Sequence, residues 1–166
     1  MSSQNPIIFI AHTLPQIIAI RQFGAALSKP VTWIAPDFLL KIGGVGYVAA
    51  LRDQAALAMP DVPCQCAVVC GDIAGLAMQA LDYGFDAIIY QGSPEVMVKL
   101  QSMSLGIAQH HTNVHKRPTT GLVVTEIWSH LPSPACALST PNVTAPQSQQ
   151  IADALGEIQG WRAQHK

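Results

Sequence analysis

Four short apolar runs, each leading toward a helix, constrain this chain more than any other feature. They are Ile7 to Ala11, Val31 to Ala35, Pro63 to Cys70 and Ala87 to Tyr90. Short apolar runs bounded by turn signals are the pattern of strands buried on both faces. The residues that follow them carry helix punctuation. Thr13 and Gln16 are spaced as a capping box, with Pro15 in the first turn. That helix is expected to reach about Ser28, where Lys29-Pro30 ends it. Its residues Ile17, Ile18, Ile20, Phe23 and Leu27 cover more than one face, so the sheet and a partner should both bury it. Asp72 reads as the N-cap of a helix that ends at Gly84, the left-handed C′ position, before apolar Phe85. Ser93-Pro94-Glu95 supplies an N-cap, a proline at N1 and an acid in the first turn, for a helix reaching about Gly106. The second run differs. PDFLLKIGGVG follows it and reads as a long connection with one helical turn, before a helix from about Val45 to Met59.

The resulting order, βαβαβαβα, implies an α/β fold with a mostly parallel sheet of four or five strands. Helices are expected on both faces, in a flavodoxin-like or Rossmann-like three-layer arrangement with right-handed crossovers. Gly121 to Trp128 is a candidate fifth strand. Residues 1–128 form the α/β domain in this reading. From Ile127 to Ala152 there is no Asp, Glu, Lys or Arg. Residues 129–146, rich in Pro, Ser and Thr, therefore read as a linker or arm. Residues 147–166 read as a short C-terminal helix weakened by two glycines.

Composition narrows the function classes. Of 166 residues, 49% are hydrophobic and 11% charged. Soluble domains average about 25% charged residues. A deficit of this size is met either by a homo-oligomer, a dimer or higher, that buries apolar surface, or by an uncharged polar tail that supplies solubility, and the oligomer is favoured. Net charge is −1 and no basic stripe stands out, which argues against nucleic acid as a partner. Ile7 to Ile20 is too short and too often interrupted to span a bilayer. Met1 to Asn5 carry no positive leader region. Neither a membrane nor a secretory route is indicated, and the chain reads as cytoplasmic, with reduced thiols.

Parallel sheets place ligands outside the carboxyl ends of their strands. That rule gathers His12 and Thr13 after the first strand, and Asp37, Lys41, Gly43, Gly44 and Gly46 after the second. It adds Cys70, Gly71 and Asp72 after the third, and Gln91, Gly92 and Ser93 after the fourth. Helix N-termini at that edge attract anions. The stretch GGVG offers close backbone approach, but it lacks the full G-x-G-x-x-G spacing and the P-loop Lys-Ser/Thr. His12 is the candidate acid or base, and Asp37 and Asp72 are acids able to join it. Asp72, Ser93, Gly71 and Gly92 also have plain structural roles as caps and tight turns. His111 and His115 stand at i,i+4 in QHHTNVH. They lack the Glu of the zincin motif, and the Thr, Asn and Val between them argue against a helix. No metal or cofactor is assigned.

Cys64, Cys66 and Cys70 fall on one face of the third strand. Spread along about 20 Å of strand at ~3.3 Å per residue, they cannot close a zinc site alone. Cys64 and Cys66 read as small buried hydrophobes. Cys70 precedes a helix N-terminus, which lowers a thiol pKa, so a nucleophile there is conceivable with His12 as base. Three readings of function follow. One is an anionic-metabolite site at the carboxyl edge, enzymatic or regulatory. The second is a non-catalytic oligomeric interaction module. The third is thiol or redox chemistry at Cys70.

Overall fold

Each of the four apolar runs forms a strand in the computed structural model of the chain, which describes residues 7–109, 126–131 and 134–165. They are β1 (Ile7–Ile10), β2 (Val31–Ala35), β3 (Cys64–Gly71) and β4 (Ala87–Tyr90). Between them lie α1 (Leu14–Leu27), α2 (Asp37–Ala58) and α3 (Ala74–Asp82), and α4 (Pro94–Gln109) follows β4. Then come β5 (Glu126–Trp128), β6 (Ala135–Ala137) and α5 (Gln147–Gln164).

Several caps act as their residue types dictate. Thr13 accepts the Gln16 amide N–H at 3.5 Å, while the Gln16 side chain reaches back to the His12 amide at 2.8 Å. At the end of α3, Gly84 has φ 70. The Phe85 amide bonds the Ala80 carbonyl and the Gly84 amide bonds Leu81, which is the Schellman pattern. Ser93 caps α4 by accepting the Val96 amide at 3.3 Å. Asp72 makes no such bond: Ile73 occupies the N-cap of α3, and no side chain caps that helix.

The stretch read as a glycine-rich connection is helical. α2 begins at Asp37 and bends at Gly44, whose φ of 80 and ψ of 168 interrupt the helix. Leu39 and Leu40 are buried before the bend, and Val45 and Val48 after it. Apolar residues on both sides therefore hold the two helical pieces against the core.

The strands form one six-stranded sheet in the order β5-β4-β3-β2-β1-β6, and every described pairing is parallel. This is one strand more than the expected four or five. The extra strand, β6, lies inside the stretch read as a linker and pairs with β1 through Ile8↔Ala135 and Ile10↔Ala137. Its three residues lie in ACAL, too short a run to stand out among prolines and serines.

Strand pleating sorts side chains onto two faces. Phe9, Trp33, Cys66, Val68, Cys70 and Ile88 join a large core with residues from the helices. Ile34, Ala67, Ala87 and Ile89 form a second cluster, with Ile8, Ile10, Val69 and Trp128 packed against it. No described helix residue belongs to that second cluster. The strand order explains this. From β1 to β5 the chain steps in one direction, and right-handed crossovers of one direction place every helix on the same face. Neighbouring helices accordingly touch in the row α5-α1-α2-α3-α4. The helices thus form one layer on one face of the sheet, and no described helix lies on the opposite face.

α1 is buried nearly all round, including Gln16 and Arg21. The sheet covers one side, and α2 and α5 of the same chain cover the others. Arg21 is 3% exposed and donates to the carbonyls of Met59 at 2.6 Å and Val62 at 2.9 Å. Its guanidinium thereby satisfies the carbonyl of the C-cap Met59 of α2, where the helix dipole favours a cation, and that of Val62 in the connection to β3.

Candidate functional site

The carboxyl edge carries the residues that the strand-end rule selects, but it does not gather them into a described cavity. His12 follows β1, half-buried, with its ring 5.2 Å from that of Phe38. Burial pushes its pKa below the ordinary histidine value. Thr13 is occupied as the cap of α1. Asp37 and Lys41 pair with each other at 2.9 Å on one exposed turn of α2. The Lys41 ammonium holds the Asp37 carboxyl below its usual range, against a smaller opposing effect of burial. Neither side chain is left uncompensated for an anion.

Gly43, Gly44 and Gly46 lie within or at the bend of α2, so they do not form an open loop that could cradle a phosphate. Gly71 has φ 58 and sits at a β-bulge, where pairing shifts between Val69↔Ile89 and Gly71↔Tyr90. Its carbonyl accepts the Gln91 amide at 2.7 Å. A Cβ on Gly92 would strike the Tyr90 ring, so glycine there lets that ring tuck under the turn. Asp72 and Ser93 are exposed.

Cys70 is fully buried against the helix layer, and burial pushes its thiol up to about 12. The helix N-terminus does not offset that shift. A thiolate nucleophile needs the opposite environment. Burial raises Cys64 and Cys136 as well, each to about 11. For Cys64 the nearby Arg21 guanidinium pulls the other way and is outweighed. His111 and His115 lie outside the described residues.

The strand-end rule itself has a condition. A crevice opens where neighbouring strands send their following helices to opposite faces. Here the order reverses between β1 and β6, yet α1 and α5 lie side by side on one face. Gln16 bridges that pair at its end: its amide donates to the Ser139 carbonyl at 2.6 Å while its oxygen accepts from the His12 amide.

The largest described cavity, about 620 Å³, lies on the helix-free face. Ile8, Thr32 and Gln65 are register partners on β1, β2 and β3 and share one row of that face. Glu126 and Trp128 line it from β5, and Ser129 and His130 from the chain leaving β5. Glu126 and Trp128 stand two residues apart, so the pleat aims both at the same face. The Trp128 indole N–H donates to a Glu126 carboxylate oxygen at 2.7 Å. Thr32 donates to the Gln65 amide oxygen at 3.4 Å. The Ser129 hydroxyl lies 2.9 Å from His130 Nδ1.

None of the described cavities is lined by His12, Asp37, Cys70, Asp72 or Ser93. No model of a known protein family matches this chain, and no curated protein sequence matches it either. The cavity is therefore interpreted from its own chemistry.

Its residues escape the strand-end rule because they lie on strand faces and on the chain between β5 and β6. A trace of them is present in the sequence. Thr32 interrupts an apolar strand, and Glu126 alternates with Trp128 at period two. Which of these residues meet depends on strand register and strand order.

Proposed function

We propose that the chain is a small-molecule-binding protein whose site is the cavity between the helix-free sheet face and the chain leaving β5. The observation that carries this reading is the cavity itself, about 620 Å³ with a few converging polar groups on an apolar wall. Ligand sites typically enclose about 300–1,000 Å³ and combine such groups in that way. The ligand-binding expectation is kept, and its place moves from the carboxyl edge to the sheet face. At the edge, Lys41 is paired, GGVG is helical and Cys70 is buried.

Ligand-observed NMR with a fragment library tests the reading. Fragment binding should disappear in Gln65→Trp, which fills the cavity from an exposed strand position, while far-UV circular dichroism stays unchanged. Fragments that still bind this variant, and shift the amides of His12, Asp72 and Ser93, would move the site back to the carboxyl edge.

Self-association is a second reading with its own observation. Val98 and Leu105, 64% and 66% exposed, stand seven residues apart on α4 and share one face. The chain's shortage of charge fits a buried face of this kind. Light scattering should report a dimer or larger species, and Val98→Glu with Leu105→Glu should shift it toward monomer. A monomer at micromolar concentration in the unmodified protein rejects this reading.

A further inference from the structure

We infer that the ligand of the sheet-face cavity is an organic cation, a hydroxylated or otherwise substituted ammonium. The inference rests on the ligand-binding reading of that cavity and names its ligand class. Among the described residues, Glu126 is the one carboxylate lining the cavity, and no Lys or Arg lines it. Among the described residues, the ion pairs are Lys41 with Asp37 and Arg52 with Asp53, so neither involves Glu126. A carboxylate facing a cavity with no Lys or Arg among its described neighbours favours a positively charged guest.

The indole beside it sharpens the class. Trp128 gives its N–H to Glu126 at 2.7 Å, which leaves the ring face for contact. Donating to an anion polarises the indole toward greater electron density, and an electron-rich ring attracts a cation over its face. Trp128 is partly buried in the apolar cluster of the helix-free face, so the ring is held in place. A carboxylate and a fixed indole two residues apart on one strand suit a soft, weakly hydrated ammonium.

Two other ligand classes fit less well. A bare metal ion needs converging ligands, and no group of three His, Cys, Asp or Glu is placed to hold one among the described residues. An anion would meet Glu126 with no compensating Lys or Arg among the described lining residues. Thr32 and Ser129 place hydroxyls on the same cavity, so a hydroxyl on the guest has partners.

Calorimetric titration with choline tests the inference, with dimethylbutanol, its uncharged carbon isostere, as the matched probe. Choline should bind at least about fivefold more tightly than the isostere, the preference expected of a cation–π contact. Glu126→Gln should weaken choline by about tenfold or more and leave the isostere unchanged, because losing one close charge contact is worth on that order. The Gln oxygen still accepts the Trp128 N–H, so β5 keeps its local bond, and circular dichroism checks the fold. Equal binding of choline and isostere, or choline binding untouched by Glu126→Gln, overturns the cation class. Absence of choline binding at millimolar concentration overturns it too. Neutral fragments that bind in the unmodified protein and are lost in Gln65→Trp would leave the cavity reading standing. Their absence would remove that reading as well.

Discussion

His12 ends β1 half-buried against Phe38, and its surroundings disfavour the imidazolium. Its folded pKa lies below the ordinary 6.5. The unfolded chain therefore binds a proton more readily, and stability falls as pH drops from about 6.5 toward the folded value. Thermal unfolding should show a lower midpoint at pH 5.5 than at pH 7.5. His12→Gln, which cannot titrate, should flatten the part of that slope due to His12, and an unchanged slope would assign it to other groups. Cys70 teaches a related lesson. Its sequence position before a helix predicts an acidic thiol, but strand pleating turns it with Cys66 and Val68 into the core, and burial dominates. Proximity to a helix end counts for a thiol only when the sulfur also has access to solvent.

At the scale of the element, α2 shows how glycine is used. Gly44 adopts φ 80 and ψ 168, a conformation that essentially glycine alone reaches. A Cβ there meets no atom within 4 Å, so the obstacle to replacement is backbone strain and not a clash. Gly44→Ala should lower stability by about 1–3 kcal/mol in urea unfolding. Gly156 and Gly160 make the contrast: both lie in the interior of α5 with the same open space. Alanine at either should raise stability by about 0.5–1 kcal/mol, because a helical glycine costs backbone entropy. If all three substitutions act alike, the bend at Gly44 is not a strained site. These glycines also explain two misreadings. A cluster of glycines resembles an open loop, and two spaced glycines resemble a frayed helix, yet packing by Leu39, Leu40, Ala154 and Ile158 holds both segments helical.

For the whole molecule, the C-terminal third closes the fold. β6 extends the sheet beyond β1, and α5 lies against α1. Ile158 is fully buried in that contact, and Trp161 meets Phe9 of β1 at 6.3 Å between ring centroids. The partner expected to bury the second side of α1 is thus supplied within the chain. Ile158→Ala should cost about 2–5 kcal/mol, the usual range for deleting a buried aliphatic side chain. Hydrogen exchange should then quicken in β6 and α1 as well as in α5. Exchange that quickens in α5 alone would make the C-terminal helix an appendage. The opposite face depends on the same closure. β5 and β6 stand at opposite edges of the sheet, and Ser129 and His130, which leave β5, line the cavity on the helix-free face.

The sequence by itself determined the local elements. Four strands, the capped starts of α1 and α4 and the Gly84 stop were legible because strand periodicity, caps and C′ glycines act within a few residues. Helix content in α2, the sixth strand and the layering were not legible, because each depends on what packs against it from far along the chain. Tertiary structure alone decided which strand ends could form a site. With every step from β1 to β5 taken in one direction, handedness puts the described helices on one face and leaves the other without a helix. The largest described cavity lies on that helix-free face, at Thr32, Gln65, Glu126 and Trp128, and not at Cys70 to Asp72. These four residues are up to 96 positions apart, by 128 − 32, and strand order with register brings them to one surface.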